Sequence, residues 1–139
     1  FEKTKKNLHI KDYVPYKKVS KILLNMDLLL IPYTSSITVA GDVGDISKYT
    51  SPLKLFDYLS VGRPIVCSNY DVLREIITDN QNAIFVKNYK NAFAWKKEIT
   101  KLINKPEKMK IISENNYKLS QKYSHGVRAL KILDSLKKL

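Results

Sequence analysis

The sequence predicts an α/β fold with a mainly parallel sheet. Three observations lead there. Short runs that are apolar on both faces recur at 27–31, 64–68 and 83–86, as in strands covered by helices on both sides. Between and after them the apolar residues take helical spacing, so strand and helix alternate. A polar stretch, Tyr33 to Thr50 with Gly41 and Gly44, interrupts the alternation. A loop of that length in a compact domain is often functional.

The elements follow in order. Asn7 to Val14 reads as a short strand closed by a turn at Pro15. Tyr16 to Met26 places Val19, Ile22, Leu23 and Met26 at helical spacing. Asp27 to Ile31 is a strand ending at Pro32. After the loop, Ser51 reads as an N-cap with Pro52 at the first helical position. That helix runs to Val61 and stops at Gly62, a left-handed cap. Pro64 to Ser68 is a strand, Asp71 to Thr78 a short helix, and Ala83 to Val86 a strand. Asn91 to Asn104 sets Trp95, Ile99, Leu102 and Ile103 on one helical face. Pro106 opens a helix reaching Gln121. Ser124 caps the last one, with Val127, Leu130, Leu133 and Leu136 spaced by three. Ligands of such sheets bind beyond the carboxyl ends of the strands. The segments expected there are Pro32 to Ser36, Thr50 to Asp57 and Ser68 to Asp71.

Composition narrows the function classes. The 139 residues suffice for one compact core, and 44% hydrophobic with 27% charged residues is ordinary for a globular protein. The longest apolar run, Leu28 to Ile31, is too short to span a bilayer. Phe1 to Lys6 lacks the apolar core of a signal peptide. Cys67 is the single cysteine, which excludes an intrachain disulfide and fits a reducing cytoplasm. His9 and His125 share no zinc-ligand spacing with it, so no metal site is expected. The net charge of +12 favours anionic partners: phosphorylated ligands, an anionic membrane face or nucleic acid. The lysines are scattered and no nucleic-acid recognition motif is present, so nucleic acid ranks last.

The stretch from Tyr49 to Val66 carries the chemistry. Unpaired backbone N–H groups at a helix start sit beside a partial positive charge, and a phosphate fits there. Thr50, Ser51, Pro52, Leu53 and Lys54 form that start, and Lys54 adds a full charge. Asp57 lies three residues beyond Lys54, on the same helix flank. An ionised carboxylate can accept two hydrogen bonds from a vicinal diol, which a ribose presents. Each residue also has a plainer reading: Ser51 as only a cap, Lys54 and Asp57 as only a surface ion pair.

The run Ser51-Pro52-Leu53-Lys54-Leu55-Phe56-Asp57-Tyr58-Leu59-Ser60-Val61-Gly62-Arg63-Pro64-Ile65-Val66 resembles the Ser-Pro-x-Lys-x-x-Glu-Tyr-x-x-x-Gly-x-Pro-Ile-Val signature in one branch of the family 4 glycosyltransferases, which have the GT-B fold. The flanks agree in order. Asp27 to Pro32 resembles the strand before the donor loop. Ser68 through Arg74-Glu75-Ile76 resembles the family's Ser-Asp-x-x-x-x-Arg-Glu-Ile segment, and Asn82 to Val86 its last strand. Tyr123-Ser124 with Arg128-Ala129 resembles its closing helix.

The resemblance implies that residues 1–139 form a Rossmann-like C-terminal donor domain, itself partial, of a GT-B hexosyltransferase. It implies a UDP- or GDP-linked sugar as substrate, no cofactor, a glycan or lipid-linked acceptor, and a role in polysaccharide biosynthesis. Ser51 and Lys54 take the diphosphate role and Asp57 the ribose role. Two positions depart from the pattern. Asp57 stands for a Glu one methylene longer. Tyr49 stands where many members carry a Glu that contacts the transferred sugar, so Tyr33, Ser35, Tyr49 and the 41–47 loop become the candidate sugar contacts. The catalytic base and the acceptor side belong to an N-terminal domain that nothing in the chain resembles. The chain alone is therefore expected to be inactive, with strand edges that pair with the missing part or with a second copy. A cytoplasmic enzyme working beside the inner membrane face fits the charge. The alternative on the same residues is a non-catalytic nucleotide-sugar binding module.

Overall fold

A computed structural model describes residues 7–10, 12–33 and 52–137 of the chain. Its elements are α1 (Tyr16–Leu23), β1 (Leu29–Ile31), α2 (Leu53–Ser60), β2 (Ile65–Ser68), α3 (Asp71–Arg74), β3 (Ala83–Val86), α4 (Ala92–Ile103), α5 (Pro106–Gln121) and α6 (His125–Leu136). The three strands form one parallel sheet in the order β1-β2-β3, with Leu30 opposite Val66 and Val66 opposite Ile84.

The pleat of β2 and β3 divides the core between the two faces of the sheet, because successive side chains point to opposite sides. Ile31, Ile65, Cys67, Ala83 and Phe85 pack with Leu55 and Leu59 of α2 and with Leu73 and Ile77. Val66, Ile84 and Val86 pack with Leu102 of α4 and Ile112 of α5. Each fully buried leucine or isoleucine contributes about 1.5–3 kcal/mol. Cys67 is a small core residue, 0% exposed, and burial pushes its thiol well above the ordinary range.

Two devices fix the turn between α2 and β2. Gly62 adopts φ +60 and its N–H bonds to Leu59 O at 3.0 Å. A Cβ there would stand 3.3 Å from Tyr117 Cβ, so the lack of one lets α5 approach without crowding. Next to it, Asn116 of α5, fully buried, donates from Nδ2 to Arg63 O at 2.9 Å. The Arg63 guanidinium donates through Nη2 to Leu24 O at the end of α1. Arg63 thus joins α1, the α2–β2 turn and α5.

Several expectations need correction. Asn7 to Val14 forms no strand: its described residues are irregular, and Leu8 and Ile10 are 50% and 68% exposed. A strand needs a ladder partner, and none lies beside this segment among the described residues. α2 begins at Leu53, and Pro52 holds the cap position with φ −79 and ψ 67, one residue later than expected. Ser51 lies outside the described residues, as does the expected loop beyond Tyr33. The helix at 71–78 ends at Arg74. The chain then tightens, with Ile76 N bonding to Leu73 O at 3.1 Å, and Ile76, Ile77 and Thr78 are all β-branched, which disfavours further helix. Ile103 of α4 is 53% exposed, turned away from the face that buries Leu102. In α6, Ser124 Oγ accepts from Val127 N at 3.3 Å as expected of a cap, but Leu130, Leu133 and Leu136 are exposed.

Candidate functional site

The carboxyl ends of the parallel strands lie at one edge of the sheet, and chain direction brings the start of α2 to that same edge. There β1 leads into Pro32 and Tyr33, and β2 into Asn69 and Tyr70. Ser68 Oγ donates to Tyr33 O at 2.7 Å, which ties the two strand ends together. The Tyr33 and Tyr70 rings meet edge-on at 5.9 Å, and Tyr70 meets Tyr89 at 5.5 Å. Burial raises the Tyr33 hydroxyl above its ordinary value. It does the same to Tyr58, where the neighbouring Asp57 and Tyr33 add to it. Phenol hydroxyls able to donate and accept thus line this edge.

The helix α2 sets its side chains by packing. Leu55 and Leu59 point into the core and are 0% exposed. With 3.6 residues per turn, this leaves Lys54 and Asp57 on a shared outer flank, Lys54 in the first turn and Asp57 in the second. Lys54 is exposed and Asp57 half-buried. The Asp57 carboxylate faces α1: its Oδ1 accepts from the Tyr16 hydroxyl at 2.9 Å. The Asp57 backbone carbonyl accepts from Ser60 Oγ at 2.7 Å. The Tyr16 hydroxyl is the proton donor of the pair, and the hydrogen bond and charge of Asp57 raise it above its ordinary value. Between α1 and α2 runs a groove of about 310 Å³ lined by Tyr16, Val19, Leu23 and Asp57, among others.

Of the residues expected at the site, Tyr33, Pro52, Leu53, Lys54 and Asp57 are described, and all belong to this edge or to the first two turns of α2. Leu53 is 72% exposed, outside the core. Ser35, Tyr49, Thr50 and Ser51 lie outside the described residues. The ion-pair reading of Asp57 gives way to Tyr16, which no sequence spacing pointed to. Tyr58 sits in the motif beside Asp57, and its burial against the site is not legible from spacing. Arg74 does not turn to its neighbour Glu75. Its Nε donates to Asn69 Oδ1 at 2.6 Å and its guanidinium lies 4.5 Å from the centre of the Phe85 ring, so it buttresses the end of β2. Trp95 and Tyr123 are packing residues: Trp95 Nε1 donates to Tyr89 O at 2.8 Å, and the Tyr123 ring meets Phe56 at a tilt, 5.2 Å between centres. No helix among the described residues is long and apolar enough to cross a membrane.

Comparison with curated proteins and with solved structures yields no match. A protein-family profile, described as glycosyl transferases group 1, matches residues 2–119. That span takes in the sheet, α2 with its Lys54 and Asp57, and nearly all of α5. The three-stranded parallel sheet with its flanking helices is the Rossmann-like architecture of the C-terminal part of a GT-B fold. The chain belongs to the group 1 glycosyl transferases.

Proposed function

We propose that this chain supplies the donor side of a hexosyltransferase that takes a UDP- or GDP-linked sugar. The observation that carries the proposal is the setting of α2. The outer side of its first turn, with exposed Leu53 and Lys54, opens at the carboxyl edge of the sheet, and Asp57 follows one turn later on the same flank. A diphosphate at the helix start meets unpaired N–H groups, the helix dipole and the Lys54 charge. The ribose then falls beside the Asp57 carboxylate. As the glycosidic bond to the leaving diphosphate breaks, negative charge grows on the phosphate oxygens, and the same groups stabilise it.

The acceptor, a glycan or lipid-linked sugar in polysaccharide synthesis, is held by an N-terminal partner domain that also supplies the catalytic base. The outer edge of β1 has no strand beside it among the described residues. Such an edge calls for a covering strand, from that domain or from a second copy. The net charge of +12 suits work at the cytoplasmic, anionic face of a membrane.

Calorimetric titration of the intact protein with UDP and GDP tests the site. Lys54→Ala should weaken binding roughly ten- to a hundredfold, the loss of one charge-assisted contact. Asp57→Asn should weaken ribonucleotides more than their deoxy counterparts. If both variants bind like the parent, α2 is only a surface helix and the assignment of the site is wrong.

A further inference from the structure

In the nucleotide site proposed above, the ribose falls to Asp57 alone. The structure shows a second oxygen beside it. We propose that Tyr16 and Asp57 read the ribose diol jointly, the Tyr16 hydroxyl accepting from one ribose hydroxyl and Asp57 Oδ2 from the other. The inference rests on the nucleotide site proposed above and deepens it by naming a specificity residue.

Proton count is the first support. A phenol has one proton, and Tyr16 spends it on Asp57 Oδ1 at 2.9 Å. What the hydroxyl still offers is its lone pairs, so toward a ligand it acts as an acceptor. The carboxylate has used one oxygen on Tyr16, and Oδ2 has no partner among the described residues. The pair therefore presents two acceptors side by side, and a vicinal diol presents two donors. A deoxy sugar would leave one acceptor unmatched.

Reach and access are the second support. Asp57 has a short side chain and is half-buried on α2, whereas Tyr16 is 74% exposed. Its ring carries an oxygen from the start of α1 across to the carboxylate, bridging forty-one positions of sequence. Both residues line the groove of about 310 Å³ between α1 and α2. Val19 and Leu23 supply apolar lining further along it and Lys17, Ser20 and Ser60 polar lining, so the groove offers both kinds of contact to a nucleoside. Asp57 in turn fixes the Tyr16 hydroxyl, which raises the directional quality of the second contact.

Titration of the intact protein and its Tyr16→Phe variant with UDP and GDP, each as the ribo, 2′-deoxy and 3′-deoxy form, provides the test. The parent should bind either ribo form more tightly than both deoxy forms. Tyr16→Phe keeps the ring and removes only the oxygen. It should lose about three- to tenfold in affinity for the ribo form, one neutral hydrogen bond. It should also become indifferent to the loss of one ribose hydroxyl while still sensing the other. Thermal melting checks that the variant folds like the parent, as expected for a side chain so exposed. If Tyr16→Phe keeps both discriminations, Tyr16 takes no part. If it binds the ribo form more tightly, Tyr16 is a competitor that the ribose must displace. Either result overturns the inference. Asp57→Asn separates this failure from a deeper one. Where Asp57→Asn weakens ribonucleotides and Tyr16→Phe does not, only the Tyr16 role falls. Where the parent ignores both hydroxyls, or binds neither nucleotide, the ribose site itself falls and the inference with it.

Discussion

β1 and β2 are neighbours in one sheet and equally apolar in sequence, yet they are covered differently. All four residues of β2 are buried, while Leu30, in the middle of β1, is 38% exposed. Leu30 sits opposite Val66 in the ladder. On that face Leu102 of α4 and Ile112 of α5 cover Val66 and Ile84, and Leu30 is left open. On the other face Ile31 is fully buried in the cluster that holds Leu55 and Leu59 of α2. An apolar run thus specifies a strand without specifying what covers it. The well-packed side of the molecule holds the fold together, and the thinly covered side, β1 with α1 and the outer flank of α2, carries the proposed site.

The largest expected effect tests that contrast directly. Ile65→Ala removes a fully buried side chain between two strands and should cost about 2–5 kcal/mol. Leu30→Ala, at a position already open to solvent, should cost less than about 1 kcal/mol. Denaturant unfolding of both variants measures the difference. Equal losses would mean that the open face of β1 is covered in solution, and the contrast between the two strands would disappear.

Two glycines sharpen the same comparison at smaller scale. Gly62→Ala forces a side chain into φ +60, 3.3 Å from Tyr117 Cβ. It should destabilise by about 1–3 kcal/mol, from backbone strain and crowding together. Around Gly126, at the start of α6, a Cβ would meet nothing within 4 Å. There alanine should be neutral or stabilise by about 0.5 kcal/mol through helix propensity. If Gly62→Ala melts with the parent, α5 is free to shift away from the α2–β2 turn, and the site helix is less firmly held than its packing implies.

The elements that the sequence made legible are those whose cause is local. Ala83 to Val86 and Pro106 to Gln121 have the expected bounds because an unbroken apolar run and a proline at the helix start act within a few residues. Gly62 was legible as a left-handed cap for the same reason. Residues 7–14 read as a strand in isolation, but a strand forms only beside a partner, which is a property of the surroundings. The helix after Asp71 was overextended because its end depends on burying both Leu73 and Ile77 in a tightened turn. At the site, Lys54 and Asp57 could be placed on one flank from spacing alone. The link from Asp57 to Tyr16 could not, since it joins two helices that only the fold brings together. The same holds for Tyr58, whose raised hydroxyl depends on its burial and on Asp57 and Tyr33.

The smallest expected effect separates the two regions by titration. Cys67 on β2 is held protonated, mainly by burial, far above its ordinary value of 9.0. Tyr33 and Tyr58, at the site edge, are raised above 10.0. For each group the unfolded chain loses its proton first as pH rises. Their contribution to stability is complete below the unfolded values and declines as pH climbs through them toward the folded values. The decline therefore begins near pH 9.0 with Cys67 and steepens above 10.0 as the tyrosines join. Cys67→Ala removes the first part only. Its melting temperature should start lower, because a buried side chain has been shortened, yet fall less than that of the parent from about pH 9.0 upward. Above 10.0 the two slopes should keep differing, because the folded Cys67 thiol still holds its proton while Tyr33 and Tyr58 lower both curves alike. Melting curves recorded across this range are read by slope, which cancels the cost of the shortened side chain. Parallel curves from the outset would show that the Cys67 thiolate is tolerated in the folded sheet, and that β2 is less tightly sealed than its complete burial requires.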